Sequence, residues 1–274
     1  MTSRKAYFAL IGVALYLFVS GWFVANLDTR PELKAVAEQP GFAPVQQVIS
    51  ALFVIGLALP SFWTFVAWQG RRRGLTVLVV LGAFALLIET VALHTGVPYG
   101  QFAYGDKIGP KLPGGVPWTV PFAWSPLLLA ATFLTRRRAT RLPAVAIGGA
   151  LWLVVFDLVL DPGAVVQGFW HYPTGGLFYG VPLSNFAGWF FSGVIGMAFL
   201  WRVADLPAQP GAFPRGLLTS TWLILVFWTS VTLWRSLWAP ALIGFGLWVF
   251  IGRLLFADFY ARTEREGLVA RPEN

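Results

Sequence analysis

The chain alternates long apolar runs with short polar breaks. Runs of about 20 residues, the length of helix that crosses a hydrocarbon core, recur near 6–26, 46–68, 74–94, 119–135, 143–161, 183–202, 216–235 and 237–256. Charged clusters such as "RRRG" at 71–74 and "RRRATR" at 136–141 fall between them. The pattern predicts an all-α fold: a polytopic membrane bundle of about eight helices, forming a single transmembrane domain over 1–274 with a short charged cytoplasmic tail at 257–274. The fourth run is the shortest, and the last two are separated only around Arg235 to Trp238.

Composition agrees. Hydrophobic residues make up 57% and charged residues 12%, with a mean hydropathy of +0.68, whereas a soluble domain carries about 25% charge. The net charge of +8 changes the picture only through its placement. Fifteen of the 20 basic residues (Arg4, Lys5, Arg71 to Arg73, Arg136 to Arg138, Arg141, Arg202, Arg215, Arg253, Arg262, Arg265 and Arg271) fall on one side of an eight-span topology. Arg30, Lys34, Lys107, Lys111 and Arg235 fall on the other. Positive loops stay in the cytoplasm, so both termini are expected inside the cell membrane. Short clusters at helix ends also argue against nucleic acid as a partner. The first run is longer than the apolar stretch of a signal peptide, and "WFVANL" lacks a small-x-small cleavage pattern, so it reads as retained. The chain has no cysteine, and thiols say nothing of its compartment.

The two long loops on the sparsely charged side, 95–118 and 162–182, are rich in Gly, Pro and aromatic residues, where a flexible linker would be polar. They are expected to be ordered. "ETVALHTGVPYGQFAYG" and "DLVLDPGAVVQGFWHYP" each place an acid, Glu89 or Asp157, eleven residues before a Gly, and a Tyr, Tyr104 or Tyr172, four residues after that Gly. Each unit then reaches "GVP" and enters the next helix through "PFAW" or "NFAGW", ending at Trp124 or Trp189. This is a weak internal parallel repeat of the third and fourth spans on the fifth and sixth, with a site expected where the halves meet.

Acids within membrane helices are costly and are candidate functional groups by default. Asp161 lies one turn from Asp157 on the same helix face; before Pro162, it could instead merely start a turn and meet water. His94 and His171 sit in the same loops, but neither belongs to an HxxxH or HxxE pair, and no metal is expected. Gly175 and Gly176 lack the Lys-Ser/Thr of a phosphate loop. Tyr104, Trp118, Trp124, Trp170, Tyr172, Tyr179 and Trp189 can serve as an interfacial belt or as a wall whose faces stabilise a cation.

"HTGVPYGQFAYG", "GVPWTVPFAW", "LDPGAVVQGFWHY" and "YGVPLSNFAGW" resemble the signatures of the multi-span carotenoid biosynthesis proteins that include the CruF-type carotenoid 1',2'-hydratases, over about residues 45 to 205. The resemblance implies water addition to the C1'–C2' double bond of an acyclic carotenoid end group (lycopene or γ-carotene type), giving a tertiary 1'-hydroxy carotenoid without a cofactor. The residues suit that chemistry. It needs a proton donor, tolerance of a tertiary cation, and one water. A carboxyl group withdrawn from water favours its neutral form, as a general acid requires. The expected assignment has Asp157 as proton donor with Glu89 as its rival, and Asp161 and Asn185 as water or relay groups. The seven aromatics would form the end-group pocket, with His94 and His171 behind them. The lipophilic carotenoid, water and the bilayer are the expected partners, and other carotenoid biosynthesis enzymes are compatible ones. Two alternatives stay open: a lycopene-type cyclase, which begins with the same protonation, and a non-enzymatic membrane transporter or lipid-binding protein.

Overall fold

The structure, a computed structural model, describes residues 4–204, 206 and 213–257. Among them the helices are α1 (Arg4–Asn26), α2 (Pro31–Ala37), α3 (Phe42–Gln69), α4 (Arg71–Thr95), α5 (Val120–Arg136), α6 (Leu142–Val166), α7 (Leu183–Val203), α8 (Thr219–Trp234) and α9 (Trp238–Leu255). Two-residue strands β1 (Ala103–Tyr104) and β2 (Trp170–His171) lie in the loops before α5 and α7. Among the described residues the fold is all-α apart from that pair, and seven helices are long and apolar enough to cross a membrane. The fourth predicted run is α5, whose 17 residues reach about 25 Å at 1.5 Å per residue. Of the expected tail 257–274, only Ala257 lies within the described residues, and Arg262, Arg265 and Arg271 lie outside them.

Each apolar run became a helix with ends within a few residues of the pattern. One extends further than expected. The fifth run, ending near Asp161, continues through Pro162 to Val166. Pro162 cannot donate to the carbonyl of Leu158, but in a membrane bundle neighbouring helices tolerate such a break. The short α2 was not foreseen; it begins on Pro31, whose fixed φ suits the first helical position.

The core lies around α8, which packs against α1, α3, α6 and α9. Small residues allow the approach: Gly21 sits against Ser230 and the Phe227 carbonyl, and Gly244 against Thr229. Where lipid removes the hydrophobic drive between helices, such close packing and interhelical hydrogen bonds hold the bundle. Ser230 Oγ donates to the Phe18 carbonyl at 2.6 Å, Thr221 Oγ1 donates to the Pro126 carbonyl at 3.1 Å, and Ser61 and Ser220 exchange bonds between α3 and α8. Large apolar side chains such as Leu15, Val79, Leu87 and Leu242 point outward.

Beside this core, α4, α5, α6 and α7 close a ring in that order, with α4 and α6 on one diagonal. The loops before α5 and α7 fold over one end of the ring, and the clusters Arg71 to Arg73 and Arg136 to Arg138 mark the other. The covering loops have their own apolar cluster, in which Tyr99, Phe102, Tyr172, Val181 and Phe186 are buried. Both loops lie within the described residues. β1 and β2 pair antiparallel, with Ala103 opposite His171 and Tyr104 opposite Trp170. Ala103 and His171 occupy the same place in the two sequence units, so the register relates the halves by a pseudo-two-fold axis through the pair.

Candidate functional site

The site is built from α6 outward. Asp157 and Asp161, four residues apart, lie on one face of that helix, and both are buried. Asn185 in the first turn of α7 bridges them, its Nδ2 donating to Asp157 Oδ2 at 2.8 Å and to Asp161 Oδ2. Tyr172 Oη donates to Asp161 Oδ2 at 2.8 Å, and Trp170 lines the same cavity as Asp161. Asn185 thus holds the two carboxyl groups side by side, and Asp157 Oδ1 is buried without a hydrogen-bond partner among the described residues.

The other sequence half contributes a second acid. Tyr104 Oη donates to Glu89 Oε2 at 2.8 Å. None of the three acids has an ion-pair partner among the described residues. Burial pushes the Tyr104 and Tyr172 phenols well above the ordinary range, and neighbouring Glu89 and Asp161 push them further. Both tyrosines therefore remain hydrogen-bond donors at physiological pH.

Between the halves lies a cavity of about 110 Å³ whose wall includes Glu89, Asp161, Asn185, Trp124, Trp189 and Tyr99. Of the expected aromatics, Tyr104, Trp124, Trp170, Tyr172 and Trp189 line it. The rings of Tyr104, Phe102, Tyr172 and Trp170 pack on one another with centroids 5.3 to 6.2 Å apart, several edge to face. The Trp124 ring is clamped against Gly196, where a Cβ would meet it, and packs on Phe84 at 5.6 Å. The far end of α6 is fixed too: Lys107 Nζ donates to the Gln167 carbonyl at 2.9 Å and Arg235 Nη2 to the Val166 carbonyl at 3.4 Å. Cations there suit the negative end of the helix dipole.

Four placements differ from the sequence expectation. Asp161, expected as a relay group, is on the cavity wall, whereas Asp157, the expected proton donor, is not; α6 continues past Pro162, so Asp161 lies within the helix and not at its end. Trp118 packs on Phe122, away from the cavity. Tyr179 is partly exposed, its hydroxyl accepting from the Ala239 amide of α9. His94 and His171 are exposed, His94 lying toward Gly114, and neither lines the cavity. Among the described residues no group of three or more His, Asp and Glu is arranged to hold a metal.

Tyr99, Phe102, Ile108, Val120, Ala123, Leu127 and Leu160 also line the cavity and were not assigned to it from sequence. Leu127 follows Trp124, and Leu160 follows Asp157, by three residues. Helical spacing from the candidate residues was the signal that could have found them.

No solved structure matches the chain. A bisanhydrobacterioruberin hydratase from Haloarcula japonica is 36% identical over 191 residues, covering 65% of this chain and 63% of that protein. The chain thus spans less than two thirds of that relative's length. The family described as carotenoid biosynthesis protein matches residues 45–251, a stretch that contains α4 to α7, both covering loops and all three acids. On that match, the chain belongs to the carotenoid biosynthesis protein family.

Proposed function

We propose that the protein adds water to the C1'–C2' double bond of an acyclic carotenoid end group, giving a tertiary 1'-hydroxy carotenoid. The observation that carries this is the buried Asp157–Asp161 pair, bridged by Asn185, which reaches a largely aromatic and apolar cavity through Asp161; the reading puts one shared proton on this pair. The π electrons take the proton from Asp161 at C2', leaving a tertiary cation at C1'. Trp124, Trp170, Tyr172 and Trp189 offer ring faces that attract positive charge. Water then forms the C1'–O bond and releases a proton. Atoms and electrons balance without an oxidant or reductant, and the reading requires no cofactor. An apolar cavity of about 150 Å³ holds benzene, so the smaller cavity here suits the last isoprene unit and leaves the polyene outside among lipid chains. The relative's name, a carotenoid hydratase, supports the same reaction class.

The reading also places the protein in the cell membrane with the arginine-rich end in the cytoplasm and the covering loops outside. Expression in a bacterium that accumulates lycopene tests the chemistry. A pigment heavier by one water, formed without added nucleotide, flavin or metal, is expected. A ring-bearing isomer of lycopene would make the protein a cyclase, and unchanged lycopene would overturn the reading.

A further inference from the structure

The cavity is a composite of two half-sites related by the β1–β2 axis, and they are not alike. On α6, Asp161 accepts from Tyr172 and Asn185, and Asn185 also ties it to Asp157. On α4, Glu89 stands alone with Tyr104. Both acids line the same cavity, and α4 and α6 occupy opposite corners of the helix ring. We infer that the pseudo-symmetry has been divided between the two halves of the hydration, the α6 acid pair delivering the proton and Glu89, held by Tyr104, taking a proton from the attacking water. The inference rests on the hydration reading and assigns a catalytic base to it.

Hydrogen-bond capacity supports the division. Tyr104 Oη fixes Glu89 Oε2, while Oε1 has no hydrogen-bond partner among the described residues and belongs to a side chain on the cavity wall. Oε1 is therefore available to accept from water. Asp161 Oδ2 already accepts from two donors, whereas Glu89 Oε2 accepts from one, and Asp157 does not line the cavity. The proton balance closes across the cavity. Asp161 loses a proton to C2', the water oxygen bonds to C1', Glu89 Oε1 takes one water proton, and that proton returns to the Asp pair through cavity water. With donor and base on opposite corners, the alkene lies between them, and its two faces are served separately.

The division makes protonation separable from hydration, and deuterium reads the difference. If Glu89 only activates water, membranes of Glu89→Gln in D₂O still form the cation. It collapses back by losing a hydron from C2' or a C1' methyl to Asp161, so recovered substrate acquires deuterium. Hydrated product should fall about 10²- to 10⁴-fold, the usual contribution of a general base, while deuterium continues to enter. Asp161→Asn should lose product and label together. Tyr104→Phe keeps the carboxylate but releases its orientation, and should raise the label-to-product ratio less than Glu89→Gln. It carries the test if the Gln variant does not accumulate. Amounts are normalised to folded protein in detergent. Hydration near the wild-type rate in Glu89→Gln, or loss of label in parallel with product, would overturn the inference and leave the hydration reading intact. A wild-type protein that forms no hydrated pigment would instead remove the reading beneath it.

Discussion

Asp157 does not line the cavity, yet it should be nearly as important as Asp161. Replacing Asp157 by Asn keeps the shape and an oxygen that can accept the Asn185 Nδ2 bond now made at 2.8 Å. It exchanges the shared proton for a fixed amide donor facing Asp161. That donor favours the carboxylate form of Asp161, which cannot protonate an alkene. The variant should fold and lose the acid function, worth about 10² to 10⁴ in rate. Asp161→Asn removes the donor itself and brings an amide to Tyr172 and Asn185, which already donate there; its loss should reach the upper end of that range. Because the pair acts as one group, the double variant should cost little more than the worse single one, not the product of both. The assay is hydrated pigment per unit of folded protein in membranes from a lycopene-accumulating host. Retention of most activity by Asp157→Asn, or multiplicative losses in the double variant, would refute the shared-proton argument.

Reporters active only in the cytoplasm should work when fused after Arg73 and Arg141 and fail at Gly175; activity at Gly175 would reverse the orientation proposed from the basic residues. Folding also holds the Tyr104 and Tyr172 protons, since burial raises both phenols above their ordinary value of about 10. The associated stability is fully present below about pH 10 and is lost as pH rises further. The thermal midpoint in detergent should therefore hold up to about pH 10 and drop above it, and drop less in a Tyr104→Phe, Tyr172→Phe double variant. His94→Ala and His171→Ala should each keep hydration within about threefold of the parent, because neither ring reaches the cavity and surface substitutions are usually within about 0.5 kcal/mol of neutral. A loss of about 10² or more in either would restore them to the site.

The helices were legible because a membrane helix must be apolar over its whole length, and each run has that property. The face of a helix was less legible. Asp157 and Asp161 differ by only about 40° around α6 at 100° per residue, and their neighbours are apolar on every side, so the pattern could not say which of them meets the cavity. Pro162 compounded this by resembling a stop. Trp118 and Tyr179 show the same limit in loops, where aromatic composition does not fix direction. The repeat, by contrast, carried three-dimensional information: it matched Glu89 with Asp157 and Tyr104 with Tyr172, and the fold brings both tyrosines to acids. It differs in one particular, for Tyr172 meets Asp161 and not Asp157.

What no local pattern could show is how tightly the halves are joined at β1 and β2, each only two residues long. Gly105, just after β1, donates its amide to the Phe169 carbonyl at 2.9 Å. A Cβ on Gly105 would collide with the Gly168 carbonyl. Its φ of −70° is open to any residue, so glycine is required there by proximity and not by backbone conformation. A backbone oxygen cannot rotate away as a side chain would, and Gly105→Ala must push β1 off β2, with Tyr104 next to it. Overpacking of this kind costs about 1–3 kcal/mol. The expected result is a lower thermal midpoint together with a loss of hydration greater than the fall in folded protein, because Tyr104 no longer holds Glu89. Gly12→Ala, on α1 with open space around it, is the control. If Gly105→Ala matches that control in both measurements, the strand pair does not hold the two half-sites in register.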